Sequence, residues 1–391
     1  MDRRVVHDAK LETLVAAQRV LGLTLTCPST REDPIVFNLD GRRASVSDRE
    51  AIESERERLV LEAQSLPSHV DPDFIDPRTV QPSELFIGRR SLECYRAEWM
   101  DSQVFRGDLE EGGLCRVPPM RINLRENFEP SVVKGVRRYA PKVQAALEEE
   151  IARQLRLKVI EECDDPPMQE VVMVRKEDAV SGFRFTLDAR SVNAGMVVEP
   201  CNPPPIADVL RSMAGCRYLA RLDLASAYWQ FPLAEESRYL SAFRVGQRAY
   251  RYRVVYMGGM GASHHVQRSV QSVLKKHIGS AVQVYIDDVV VGTETHEEFV
   301  SVIHFVISAF RSVHLVCKIT KCIIGCYSLR LLGHIVDDQK VRMADDKRDE
   351  VANLPFPENP KQLRAALGQT NFHWAFIPRY ATITKVVRHR R

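Results

Sequence analysis

Asp287 and Asp288 are adjacent acids between two apolar, β-rich stretches, residues 282–286 and 289–291. Side chains alternate across a strand, so two neighbouring carboxylates in such a frame are costly. A desolvated carboxylate needs a counter-charge. A tight turn at the pair brings both acids to the sheet edge, where a divalent cation neutralises them. Hard oxygen donors suit Mg²⁺, which keeps several waters and takes one or two carboxylates plus substrate phosphates. Asp223 is the third candidate, an acid framed by Leu222 and Leu224 at the end of an expected strand over 219–224. Three carboxylates can hold two ions, and two ions stabilise the attacking 3′-oxygen and the leaving pyrophosphate of an in-line displacement.

The elements that must position these acids are partly legible. Residues 141–157 form an expected helix with Pro141 near its start. Residues 171–174 and 183–187 read as a strand hairpin, 242–245 and 250–255 as two strands around Gly246-Gln247, and 331–336 as one strand. Residues 208–214, 266–278, 297–313 and 361–369 read as helices. Three consecutive prolines, Pro203 to Pro205, mark a connection. The order from 219 to 291 is strand, hairpin, helix, hairpin, which predicts an α+β fold with a mainly antiparallel sheet and helices on one face.

The 391 residues carry 55 Lys/Arg and 52 Asp/Glu, but unevenly. Residues 1–117 hold 16 basic against 22 acidic residues, leaving 39 against 30 for the rest, and no acid follows Glu358. A phosphate-rich partner for the basic part is one reading and a solvated surface is the other. No apolar run nears the roughly 20 residues that span a bilayer, so no membrane association is expected. Nine scattered cysteines and no leader pattern point to a reducing, intracellular setting, cytoplasmic or nuclear. Residues 47–62 read as a charged helix that Ser47 and Glu50 could cap. Leu39-Asp40-Gly41 reads as a turn. Cys317, Cys322 and Cys326 are spaced too loosely with His314 and His334 for zinc and read as structural thiols. His264 and His265 read as loop residues. The run Arg248-Ala249-Tyr250-Arg251-Tyr252-Arg253 either grips a template strand by charge and stacking or is a half-exposed strand.

The stretch from about Pro118 to Tyr380 resembles the reverse transcriptases of gypsy-type long-terminal-repeat retrotransposons. The resemblance rests on Met120-Arg121-Ile122-Asn123-Leu124, Phe183-Arg184-Phe185-Thr186-Leu187-Asp188-Ala189-Arg190-Ser191-Val192-Asn193, Leu222-Asp223-Leu224-Ala225-Ser226-Ala227-Tyr228-Trp229-Gln230, Tyr285-Ile286-Asp287-Asp288-Val289, Thr320-Lys321-Cys322, Leu331-Leu332-Gly333-His334-Ile335 and Leu363-Arg364-Ala365-Ala366-Leu367-Gly368, in the family's order. It implies a right-hand polymerase fold of fingers, palm and partial thumb. It also implies RNA-directed DNA polymerase activity with two Mg²⁺ ions, or Mn²⁺ in their place. On this resemblance Asp223, Asp287 and Asp288 are the catalytic and metal-holding acids. Arg184, with Lys176 across the hairpin, contacts the triphosphate of a dNTP, and Tyr228 excludes a ribose 2′-hydroxyl. Met257 and Gly258, or Met260 and Gly261 if the loop carries a short deletion, line the nucleotide pocket with Gln267, while Tyr285, Lys321, Gly333, His334 and Arg364 face an RNA/DNA template-primer.

One motif departs from the family. A Pro-aromatic-Gly segment, then Asn-Ala-Pro, then Phe-Gln is expected, and the chain has Met257-Gly258-Gly259-Met260-Gly261-Ala262-Ser263-His264-His265-Val266-Gln267. A second reading therefore stands beside the enzyme: a decayed or co-opted fragment that binds nucleic acid without polymerising. The expected layout is an acidic N-terminal region of unknown fold over 1–115, lead-in and fingers over 116–205, palm with part of the fingers over 206–345, and the start of a thumb with a basic tail over 346–391. Ribonuclease H and integrase would be separate products of the same polyprotein.

Overall fold

The computed structural model describes Asp73, Ile75 and residues 85–384, apart from positions 108, 110–112, 136, 176–180, 200, 202, 378 and 383. The expected helix over 47–62, the turn at Asp40 and the basic tail after 384 lie outside the described residues. In chain order the first elements are β1 (Phe86–Ile87), α1 (Arg96–Asp101), β2 (Phe105–Arg106), β3 (Asn123–Leu124), α2 (Pro141–Arg156) and β4 (Ile160–Cys163). Next come β5 (Glu170–Arg175), β6 (Phe183–Asp188), α3 (Arg190–Asn193), β7 (Met196–Val197), α4 (Ile206–Met213) and β8 (Tyr218–Asp223). The middle of the chain supplies β9 (Phe243–Val245), β10 (Arg248–Tyr252), α5 (Ala262–Val273), β11 (Val282–Tyr285), β12 (Asp288–Thr293) and α6 (His296–Ser312). The last are β13 (Cys317–Lys318), β14 (Ile323–Cys326), β15 (Ser328–Leu331), β16 (His334–Asp337), β17 (Val341–Met343), α7 (Asp345–Ala352) and α8 (Pro360–Phe372). No helix among the described residues is long and apolar enough to cross a membrane.

The chain divides into two compact units. The larger, within Val46–Leu329 and Asp337–Gln339, is organised by a five-stranded sheet in the order β1-β14-β8-β12-β11. β8 is central and antiparallel to both β12 and β14. Its even-numbered residues Ala220 and Leu222 are fully buried. Against this sheet lies α6, whose residues Phe299, Val302, Ile303, Val306 and Phe310 recur at helical spacing and are all buried. Thr295 begins α6 by accepting the Glu298 N–H on its side chain. β5 and β6 form a separate hairpin, and β4, β10 and β9 a three-stranded sheet.

The acidic N-terminal region does not end at residue 115 as a separate piece. From Leu85 onward it is part of this core: β1 pairs in parallel with β14 through Phe86↔Ile323 and Ile87↔Ile324. Trp99 is buried, stacks on Tyr95 at 5.6 Å and meets His304 of α6 edge-on at 6.2 Å. Leu92 fills the space that a side chain at Gly325 would need. The Arg89 guanidinium is sandwiched by the rings of Tyr218 and Tyr327, at 4.0 and 3.8 Å. Two-residue β-strands carry too few alternating positions to be read from sequence.

The smaller unit comprises Arg330–Val336 and residues from Lys340 onward. The single strand expected over 331–336 is instead a hairpin, β15 turning at Leu332 and Gly333 into β16. Both turn residues have positive φ, 49° and 78°, the pattern of a type I′ turn. Leu at the first turn position hides that signal in the sequence. In α8, Asn359 caps the N-terminus by accepting from the Lys361 and Gln362 N–H groups, with Pro360 at the first helical position.

Two further expectations change. The helix expected over 266–278 lies at Ala262–Val273, starting earlier and ending five residues sooner, with Gly261 at φ 83° as its N-cap. His264 and His265 therefore lie in its first turn rather than in a loop. Of the run over 248–253, residues 248–252 are β10, with the tyrosines facing inward and the arginines in ion pairs. Tyr250 and Tyr252 are buried, and the arginines pair with acids of β4 and beyond: Arg248 with Glu162, Arg251 with Glu161 and Asp165, Arg253 with Glu161.

Candidate active site at the ends of the central strands

The register of β8 and β12 sets Asp223 directly opposite Asp288. The hairpin β11–β12 closes with Tyr285 paired to Asp288, so its two-residue turn is Ile286-Asp287. The acid pair is thus divided: Asp287 sits in the turn and Asp288 begins the strand. The Leu224 N–H donates to the Asp287 carbonyl at 3.2 Å, tying the turn to the end of β8. Facing residues of an antiparallel pair have Cβ atoms about 5 Å apart. Two carboxylates at that range repel by on the order of 3 kcal/mol at an effective dielectric of 20.

Two cations offset this repulsion. Lys321 Nζ lies 3.3 Å from Asp223 Oδ2, and Arg221 Nε lies 3.8 Å from Asp288 Oδ1. Burial still dominates and pushes the Asp223 carboxyl above its usual range, with Lys321 and Arg221 acting to lower it. Asp288 is raised to about 6, first by desolvation, with Arg221 opposing and the charges of Asp287 and Asp223 adding. Lys321, expected at the template-primer, is a partner of Asp223. Arg221 was missed in the sequence, although its spacing of two from Asp223 along a strand was a usable signal.

These residues fit hard divalent cations in donor chemistry: three carboxylates where β8 and the β11–β12 turn meet, two of them largely desolvated. Among the described residues no three His, Cys, Asp or Glu side chains already stand close enough to hold an ion. Cys317, Cys322 and Cys326 are buried free thiols, as the sequence reading held.

The turn is held from α5. Gln267 is buried; its Oε1 accepts the Ile286 N–H at 2.5 Å and its Nε2 donates to the Val284 carbonyl at 2.7 Å. The Gln267 amide therefore bonds the backbone of the hairpin on both its oxygen and its nitrogen. Ile286 has φ 59°, uncommon for a β-branched residue.

The unusual 257–261 loop is also fastened. Asn193 donates through Nδ2 to the Gly258 carbonyl and accepts the Met260 N–H on Oδ1, both at 2.8 Å. Gly258, at φ 101°, would place a Cβ 2.9 Å from the Leu187 carbonyl, so only glycine fits this approach to β6. Met257 and Met260 are exposed beside it. Tyr228, in a single 3₁₀ turn over Ala227–Gln230, shares a hydrogen bond of 2.9 Å with Ser263 of α5.

Arg184 is exposed on β6, opposite Val174, and Lys176 lies outside the described residues. Tyr285 is partly exposed at the end of β11. In the smaller unit Gly333 occupies the turn of the hairpin and Arg364 is exposed on α8. His334 is not on a surface. It is buried against Phe372, His373 and Phe376, with ring centroids 5.1–5.6 Å away, which leaves only its backbone for a nucleic-acid role. The clefts of about 390 and 620 Å³ near Arg268 and Arg190 lie elsewhere and are not lined by the aspartates.

Residues 153–336 match the family described as "Reverse transcriptase (RNA-dependent DNA polymerase)". The retrovirus-related Pol polyprotein from transposon 297 of Drosophila melanogaster is 26% identical over 242 residues, 61% of this chain and 23% of that protein. The corresponding polyprotein from transposon gypsy of the same fly is 26% identical over 204 residues, 52% of this chain and 20% of its own length. The chain thus spans about a quarter or less of these relatives. Among solved structures, the foamy viral protease-reverse transcriptase in complex with double-stranded DNA superposes with a TM-score of 0.69 at 17% identity, covering 92% of this chain and 57% of that one. That likeness shows the polymerase fold.

Proposed function

We propose that this chain is an RNA-directed DNA polymerase from a retroelement polyprotein, a reading supported by the match of residues 153–336 to the reverse transcriptase family and by the likeness to retrotransposon Pol polyproteins. The single observation that carries the reading is the opposition of Asp223 and Asp288 across two paired strands, with Asp287 in the turn between β11 and β12. Asp223, Asp287 and Asp288 would hold two Mg²⁺ ions, or Mn²⁺ in their place. When bound, the ions supply Lewis-acid stabilisation of the attacking primer oxygen and the leaving pyrophosphate.

The protein's own groups orient the reactants. Exposed Arg184 offers a guanidinium to the triphosphate of a dNTP, with Lys176 as its expected companion. The loop at Met257 and Gly258 forms the lip of the nucleotide pocket, and the Tyr228 ring crowds the sugar 2′-position. Tyr285, the backbone at Gly333 and His334, and Arg364 approach the template-primer, where phosphate contacts position the duplex without reading it. Ribonuclease H and integrase activities would come from other parts of such a polyprotein. The alternative of binding without polymerising drew on the altered 257–265 segment. The fastening of that segment by Asn193 supports a formed pocket instead.

Primer extension on an RNA template with Mg²⁺ tests the proposal. Incorporation by the unmodified protein that disappears in Asp287→Asn is the expected result. Template binding with no incorporation by the unmodified protein would sink the enzyme and leave the binding-only reading.

A further inference from the structure

Arg221 stands two residues before Asp223 on the same face of the central strand, between Val290 of β12 and Ile323 of β14 in register. Its side chain is only 11% exposed. Nε faces Asp288 at 3.8 Å and the guanidinium also donates to the Lys321 carbonyl at 3.5 Å. Lys321 in turn reaches Asp223 at 3.3 Å. A cation buried beside carboxylates meant for metal ions is unexpected for an efficient metal trap, since each positive charge weakens the pull on a divalent ion.

We infer that Arg221 and Lys321 are resident counter-ions that set how strongly the three aspartates take up divalent cations. This rests on the metal reading of the proposed function. Three carboxylates alone would repel one another and be desolvated without compensation. The two cations keep the acids in place before any ion arrives. An entering ion must compete with them, so uptake is weak until triphosphate oxygens complete its coordination shell. Removing either cation leaves a more negative site that binds ions more tightly and depends on them more for stability.

The test uses the full chain with Mn²⁺ alone, without primer or nucleotide, and follows binding by electron paramagnetic resonance and the melting temperature. Arg221→Met and Lys321→Met should each tighten the apparent Kd for Mn²⁺ by threefold or more and enlarge the rise in melting temperature that the ion produces. Arg221→Lys should remain near the unmodified protein. Mn²⁺ binding that requires Asp287 but is unmoved in both Met variants would overturn the counter-ion role and leave the metal site standing. Should Arg221→Met not fold, Lys321→Met, at a half-exposed side chain, decides the matter. Binding that is equal in Asp287→Asn would remove the metal reading, and with it this inference.

Discussion

Gln267 and Ile286 are joined by a hydrogen bond in which the turn residue's N–H donates to the helix residue's amide oxygen at 2.5 Å. Together with the Gln267 bond to the Val284 carbonyl, it anchors the turn that bears Asp287 to α5. A left-handed backbone at an Ile costs on the order of 1–2 kcal/mol and persists where its surroundings over-determine it. Gln267→Leu should leave the Ile286 N–H and the Val284 carbonyl unpaired. We expect a loss of about 1–3 kcal/mol in stability and a fall in kcat of roughly a hundredfold, because small misplacements of reacting groups are costly. Thermal melting and steady-state primer extension measure the two effects. Near-normal kcat would show that the turn holds its shape unaided.

Asn193 fastens the 257–261 loop to the end of α3, the short helix that follows β6. Asn193→Ala should raise the KM for dNTP at least tenfold, more than it lowers kcat, and speed amide exchange at 257–261. Faster exchange with an unchanged KM would mean that the loop does not line the nucleotide pocket.

Tyr228 has two separable parts, a ring and a hydroxyl bonded to Ser263. Tyr228→Ala should admit ribonucleotides, whereas Tyr228→Phe should keep sugar discrimination and cost about 1 kcal/mol of stability. Equal discrimination in Tyr228→Ala would remove the ring as a steric gate.

Trp99 tests whether the N-terminal segment is integral to the polymerase unit. Its burial against Tyr95 and His304 predicts a loss of about 3–5 kcal/mol in Trp99→Ala, read as a lower melting temperature together with lost extension activity. A variant that melts like the unmodified protein would show that residues 85–115 are dispensable.

His373 gives the smaller unit a pH dependence. Burial lowers its pKa to about 4, with His334 and Lys347 adding to the fall and Glu350 opposing it. An unfolded histidine titrates near 6.5. The neutral ring is therefore favoured in the fold, and the stability it brings is complete above about pH 6.5 and is lost as pH falls toward 4. The loss should reach roughly 3 kcal/mol at most. Amide protection across 360–377, corrected for the intrinsic exchange rate, should be lower at pH 4.5 than at pH 7, and His373→Asn should flatten the response.

The local chemistry of this protein was written in its sequence. Acids framed by apolar residues at 223 and 287–288 pointed to a metal-binding sheet edge, because a desolvated carboxylate needs compensation wherever it occurs. Strand alternation and helical spacing gave β8, α2 and α6 to within a residue at each end, since long apolar periodicities dominate short-range preference. The tertiary structure decided the relations. Only the β8–β12 register puts Asp223 across from Asp288, and register depends on pairing between strands 65 residues apart in the chain. Only packing brings the Gln267 amide to Ile286 and turns His334 inward onto Phe372. The counter-ions are of the same kind: Arg221 was visible as an arginine in a strand, but its partner comes from another strand and Lys321 from beyond a helix. Such pairings follow from long-range contacts that no local pattern encodes.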